Sequence, residues 1–144
     1  MKVAFSYSWR LPTGDPAHVR EIIERLRQHA VELGSESVSD LCVLTGDDAQ
    51  AVQPKARHAV MFAATIPGSI EGRYGLALAG NSSWSWSGGV IISSARTVSE
   101  FHAAAAELGI DVVEGYAGMV FTSRKNAVGA VVTEQRQAFD WTDF

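Results

Sequence analysis

Large and small side chains alternate from the start of the chain. Val3, Phe5, Tyr7 and Trp9 fall on one parity, and Ala4, Ser6 and Ser8 on the other. This is the period-two pattern of a strand. Leu11-Pro12-Thr13-Gly14 then makes a turn, and Asp15-Pro16 starts a helix. An aspartate there accepts from the first free amides, and a proline at the first helical position loses no hydrogen bond. Val19, Ile22, Ile23, Leu26, Ala30 and Leu33 recur at helical spacing. Arg20, Glu21, Glu24, Arg25 and Arg27 take the opposite face, and Gly34 ends the helix.

The middle of the chain is richer in strands. Residues 38–45 read as a second strand, and Asp47 and Asp48 suit a short helix that Pro54 would close. Residues 59–66 are apolar without alternation and stop at Pro67-Gly68, which favours a strand buried on both faces. Tyr74, Leu76 and Leu78 alternate with small residues, and Gly80-Asn81-Ser82-Ser83 is a turn. Trp84, Trp86, Val90 and Ile92 share one parity of a further strand.

A second main helix is expected from Thr97, which with Glu100 fits a capping box. Its apolar stripe is Val98, Phe101, Ala105 and Leu108, and Gly109 ends it. Residues 112–122 and 128–135 are strand-like on either side of the polar turn Ser123-Arg124-Lys125-Asn126, predicting a closing hairpin.

Strands that cluster instead of alternating with helices argue for α+β, not a doubly wound parallel sheet. The expected fold is one α+β domain over residues 1–144. Two main helices would pack on a mixed or antiparallel sheet of about six to eight strands. Glu32-Leu33-Gly34 and Glu107-Leu108-Gly109 end both helices alike, a weak trace of an internal β-α-β-β duplication.

Composition narrows the class. At 144 residues and 47% hydrophobic, the chain can bury a core without a metal or disulfide staple. The net charge of −4 is spread evenly between the halves, so no basic stripe points to nucleic acid. The single cysteine, Cys42, lies in an apolar run and reads as a buried hydrophobe. The first residues show no sustained apolar stretch of a secretory signal, and no run is long enough to span a bilayer. A cytoplasmic protein without nucleic-acid or membrane partners is the expectation. His18, His29, His58 and His102 lack metal-ligand spacing, so no metal or other cofactor is expected.

The most unusual stretch runs over residues 67–89. Two tryptophans at i and i+2 project from one strand face, where paired indoles can stack on a ligand or partner. Glu71, Arg73, Tyr74, Asn81, Trp84 and Trp86 are the candidate binding residues, with Glu71 and Arg73 as polar handles. Core packing is the competing account of the tryptophans. For acid–base work the candidates are Glu71, Glu114, Glu134 and His58. Glu114 interrupts an apolar strand on the parity of Tyr116, which points either to a polar pocket or to a strand position facing solvent.

The small faces raise a packing question. If Ala4, Ser6 and Ser8 align with Gly75, Ala77 and Ala79, Ser85 and Ser87, and Gly115 and Ala117, the helices can sit close on that side. The opposite face, with Phe5, Tyr7, Trp9, Tyr74, Trp84 and Trp86, would then be left for Phe139, Trp141 and Phe144, a second copy or a ligand. The functional expectation is a self-associating binding module that uses this aromatic strand face. Its partner would be a second copy, a small molecule or another protein. The alternative is a small enzyme with a site around Glu71, Arg73 and the Trp84/Trp86 strand.

Overall fold

The computed structural model describes residues 2–80 and 83–137. Its elements are β1 (Val3–Leu11), α1 (Pro16–Glu32), β2 (Cys42–Thr45), α2 (Gly46–Val52), β3 (His58–Ala64), β4 (Gly72–Leu78), β5 (Trp84–Ile92), α3 (Arg96–Glu107), β6 (Asp111–Tyr116), β7 (Met119–Lys125) and β8 (Val131–Gln137). The strands form one open sheet of eight in the order β2-β3-β4-β5-β1-β6-β7-β8. Every pairing is antiparallel. The class is therefore α+β, with three helices on an antiparallel sheet. Set the short α2 aside and each half runs β-α-β-β-β. Strands β2–β4 step inward from one edge, whereas β6–β8 step outward to the other.

Helix α1 starts and stops as its sequence signals require. The Asp15 side chain accepts from the His18 amide at 2.9 Å, and Pro16 is the first helical residue. At the other end Gly34 takes φ +82° and Ser35 N–H returns to the Ala30 carbonyl. That left-handed turn is open to glycine at no steric cost. Gly109 ends α3 in the same way, with φ +96° and Ile110 N–H bonded to Ala105 O.

Two local expectations are corrected. Helix α3 begins at Arg96, with Ala95 as its cap and no side-chain capping bond. Thr97 is already inside the first turn, and Glu100 reaches toward Arg96 (3.8 Å). Residues 112–122 are not one strand. They are a hairpin turning at Ala117-Gly118, both with positive φ, which joins β6 to β7. Ser123, Arg124 and Lys125 belong to β7, and the next turn follows at Asn126. The Asn126 carboxamide oxygen there accepts from the amides of Val128 and Ala130.

The aromatic face is the core, which reverses the expected arrangement of the layers. Phe5, Tyr7, Trp9, Tyr74, Trp84 and Trp86 are all buried. Helix α1 lies over β3 and β4, α3 lies over β6, β7 and β8, and the helices meet each other. Ala4, Ser6, Ser8, Ser85 and Ser87 face solvent on the opposite side. The physical reason is area. Each large ring removes roughly 150–250 Å² from water, so the helices cover the rings and leave the serines wet.

A buried aromatic layer needs partners for its N–H and O–H groups, and each indole here has one. Trp9 Nε1 donates to His102 Nδ1 (2.9 Å), and Trp84 Nε1 donates to Gly14 O (2.9 Å). Trp86 Nε1 donates to Tyr7 Oη (3.1 Å) and to Arg73 O (3.2 Å). The Tyr7 hydroxyl in turn donates to Arg73 O. Across the sheet Tyr7 stands opposite Gly88, where a Cβ would lie 2.6 Å from its oxygen. Only glycine leaves room for that ring.

Short α2 contacts β2 and β3. Ala59 and Met61 of β3 have the parity opposite to Phe62, which meets Phe101 of α3, yet they too are buried. Helix α2 therefore covers the outer face at this end, and β3 is buried on both sides as its unbroken apolar run suggests.

Candidate functional site

Strands β4 and β5 pair only at Ala77–Ser85 and Leu78–Trp84. Backbone hydrogen bonding resumes beyond β4, where Ile70 N–H donates to Ile91 O. Between these points the ladder opens, and the Tyr7, Trp86 and Arg73 bonds close its floor. The Gln53 side chain stands in for the missing strand at Ser87. Its Nε2 donates to Ser87 O (3.0 Å) and its Oε1 accepts from Ser87 N–H (3.3 Å). The opening makes a shallow groove of about 300 Å³ lined by Glu71, Arg73, Trp86, Ser87 and Gly89.

The structure thus gathers some of the expected binding residues and separates others. Glu71 and Arg73 lie exposed on the groove, and Trp86 lies beneath it. Tyr74 and Trp84 face the core with no exposed area, so the two tryptophans form no stacking platform. The self-associating aromatic face falls for the same reason: helices α1 and α3 already occupy it. Asn81, Phe139, Trp141 and Phe144 lie outside the described residues. Among the acid–base candidates, Glu134 is exposed on β8, and half-buried His58 begins β3 away from both carboxylates of interest.

Glu114 is the exception. It sits mid-strand in β6, opposite Tyr7 on one side and Phe121 on the other. Its parity aims it at the helix layer, where α3 crosses the β6–β7–β8 end of the sheet. A cleft of about 390 Å³ lies there, lined by Arg96, Ser99 and Glu100 of α3 and by Glu114, Phe121 and Ser123 of the strands, with Tyr116 and Thr133 beside them.

The cleft has distinct walls. Tyr116 and Phe121 stack with centroids 5.4 Å apart, and Phe5 continues the stack against Tyr116 at 5.5 Å. The Ser123 and Thr133 hydroxyls bond each other across β7 and β8 at 2.8 Å. Glu114 is 6% exposed, and its Oε2 is buried with no hydrogen-bond partner among the described residues. Ser99 Oγ is buried and unpartnered as well. Removal from water disfavours the carboxylate, so burial pushes the Glu114 carboxyl up to about 7. At neutral pH such a group both gives and takes a proton, which an ordinary surface glutamate does not do.

Sequence reasoning singled out Glu114 but missed its neighbours. Ser99, Ser123 and Thr133 come from one helix and two strands, and only the register of β6, β7 and β8 brings them together. Among the described residues no group of three or more His, Cys, Asp or Glu is placed to hold a metal. No helix of the described residues is long and apolar enough to cross a membrane. No protein-family model, curated protein or solved structure matches the chain.

Proposed function

We propose that the chain is a binding module whose small-molecule ligand sits in the cleft between α3 and β6–β8. One observation carries this reading: of the four buried side-chain atoms without a hydrogen-bond partner among the described residues (Tyr74 Oη, Ser99 Oγ, His102 Nε2 and Glu114 Oε2), two belong to residues that line one cleft, Glu114 and Ser99. Native proteins leave few buried polar groups unpaired, because each costs about 1–3 kcal/mol. Two on one cleft mark the place where an outside partner bonds. The volume and the mix of ring wall and hydroxyls suit a small organic molecule.

Screening a set of small polar aromatic fragments by amide NMR tests the reading. Shifts concentrated at Ser99, Glu114 and Ser123 are expected. Shifts confined elsewhere, or none, overturn it.

The enzyme alternative at Glu71 and Arg73 has one observation in its favour, the opened ladder beneath them. Shifts confined to residues 71–73 and 87–89 in the same experiment would select it. For self-association, the surface we propose is the outer sheet face and not the aromatic one. Ile91 (40% exposed) and Val113 (40%) stand on the outer sheet face beside Ala4 and Ser8, with Val132 (41%) further along it on β8. Residues as small as Ala4 and Ser8 let a second sheet approach closely.

A further inference from the structure

We infer that the ligand of the α3/β6–β8 cleft is an organic cation, a primary or secondary amine carried on a flat ring; this rests on the cleft being the binding site. The charges around the cleft are Arg96, Glu100 and Glu114. Arg96 and Glu100 face each other at 3.8 Å on the rim, and both are more than half exposed. Glu114 has no ion-pair partner among the described residues. When ionised, Glu114 is thus the one lining charge among the described residues without a counter-charge, and a cation is the ligand that answers it.

The hydrogen-bonding groups agree. A protonated amine brings donors and no acceptor. Of the unpartnered groups on the cleft residues, Glu114 Oε2 accepts when ionised, and Ser99 Oγ can accept as well as donate. A ligand carboxylate or phosphate would instead meet Glu114 as a like charge, and among the described lining residues the one cation is Arg96, which faces Glu100 at the rim.

The ring wall completes the description. Phe5, Tyr116 and Phe121 form one stack, with planes 19° and 21° apart. Tyr116 and Phe121 line the cleft itself. Flat rings add to such a wall, and an ammonium near a ring face gains further attraction. An amine on a flat ring therefore uses the carboxylate, the hydroxyl and the ring wall together.

Three probes of nearly equal shape test the inference by calorimetry and amide NMR at pH 8: 2-phenylethylamine, 2-phenylethanol and phenylacetate. The amine is expected to bind at least tenfold tighter than the alcohol, with phenylacetate weakest. Glu114→Gln is expected to abolish the preference for the amine, provided its amide spectrum shows the native fold. The comparison of probes on the wild-type protein needs no variant. Equal binding of amine and alcohol at the cleft overturns the cation while leaving the binding site intact. Absence of shifts at Ser99, Glu114 and Ser123 with every probe overturns both. Tighter binding of phenylacetate reverses the charge argument.

Discussion

Trp86→Ala is expected to lower the melting temperature by about 10–20 °C, by the same amount in dilute and concentrated solution. The indole is 2% exposed and lies under the opening between β4 and β5. Its Nε1 bonds both Tyr7 Oη and Arg73 O, so it holds together two strands that do not pair there. Deleting a buried aromatic ring costs about 3–5 kcal/mol, and in a domain of this size each kcal/mol is worth roughly 3–4 °C. The loss should exceed a simple cavity, because Tyr7 loses a bonded neighbour as well. Calorimetry at two protein concentrations about a hundredfold apart reads the result, since oligomer dissociation makes melting depend on concentration. A small drop at both concentrations would mean that the ring is exposed, and a drop present only in concentrated solution that it is an interface group.

His102→Gln is expected to flatten the acid limb of the stability curve. His102 is completely buried, and its Nδ1 accepts from Trp9 Nε1, which places the imidazole proton on Nε2. Burial disfavours the imidazolium and lowers the pKa to about 3, against an ordinary 6.5. Between these values the unfolded chain binds the proton and the folded chain does not. Stability from this group is therefore fully present above about pH 6.5 and is lost as the pH falls toward 3, by on the order of 4 kcal/mol.

Glu114 acts in the opposite sense. Its folded pKa of about 7 lies above the ordinary 4.5, so its contribution is complete below pH 4.5 and lost as the pH rises through 7. A glutamine at position 102 keeps an acceptor for Trp9 and does not titrate. Urea unfolding at pH 7 and pH 4 should show a much smaller loss for the variant than for the wild type. Parallel losses would mean that His102 protonates in the folded state without penalty.

What could be read from the sequence depended on whether a local signal existed. Helix α1 was fully legible, since Asp15, Pro16 and Gly34 each act on the backbone next to them. The hairpin at Ala117-Gly118 was not. A two-residue turn of this kind needs positive φ at both central positions, and alanine gives no sign of adopting it. Apolar alternation also continues through the turn, so β6 and β7 read as one long strand.

Parity separates the two sheet faces correctly, but residue volume alone assigns them to the wrong layers, with the helices over Ala4, Ser6 and Ser8. The burial of six large rings outweighs it, and internal partners for the three indole N–H groups make that burial tolerable. Those partners, His102, Gly14 O and Tyr7, lie far from the tryptophans they serve in sequence, and so no local pattern announces them. The candidate site divides in the same way. Glu114 stood out as a carboxyl inside an apolar strand, a local irregularity. Ser99, Ser123 and Thr133 are unremarkable in sequence and become a site only through register.

The proposed binding site depends on Glu114 being a buried, unpaired carboxyl on the wall of a cleft. Its side-chain carboxyl carbon can be followed by ¹³C NMR from pH 3 to pH 9. A midpoint near 7 is expected, with amide shifts at Ser99 and Ser123 following the same curve. A midpoint near the ordinary 4.5, with no response at those serines, would mean that Glu114 is solvated or paired and that the cleft is not the binding site.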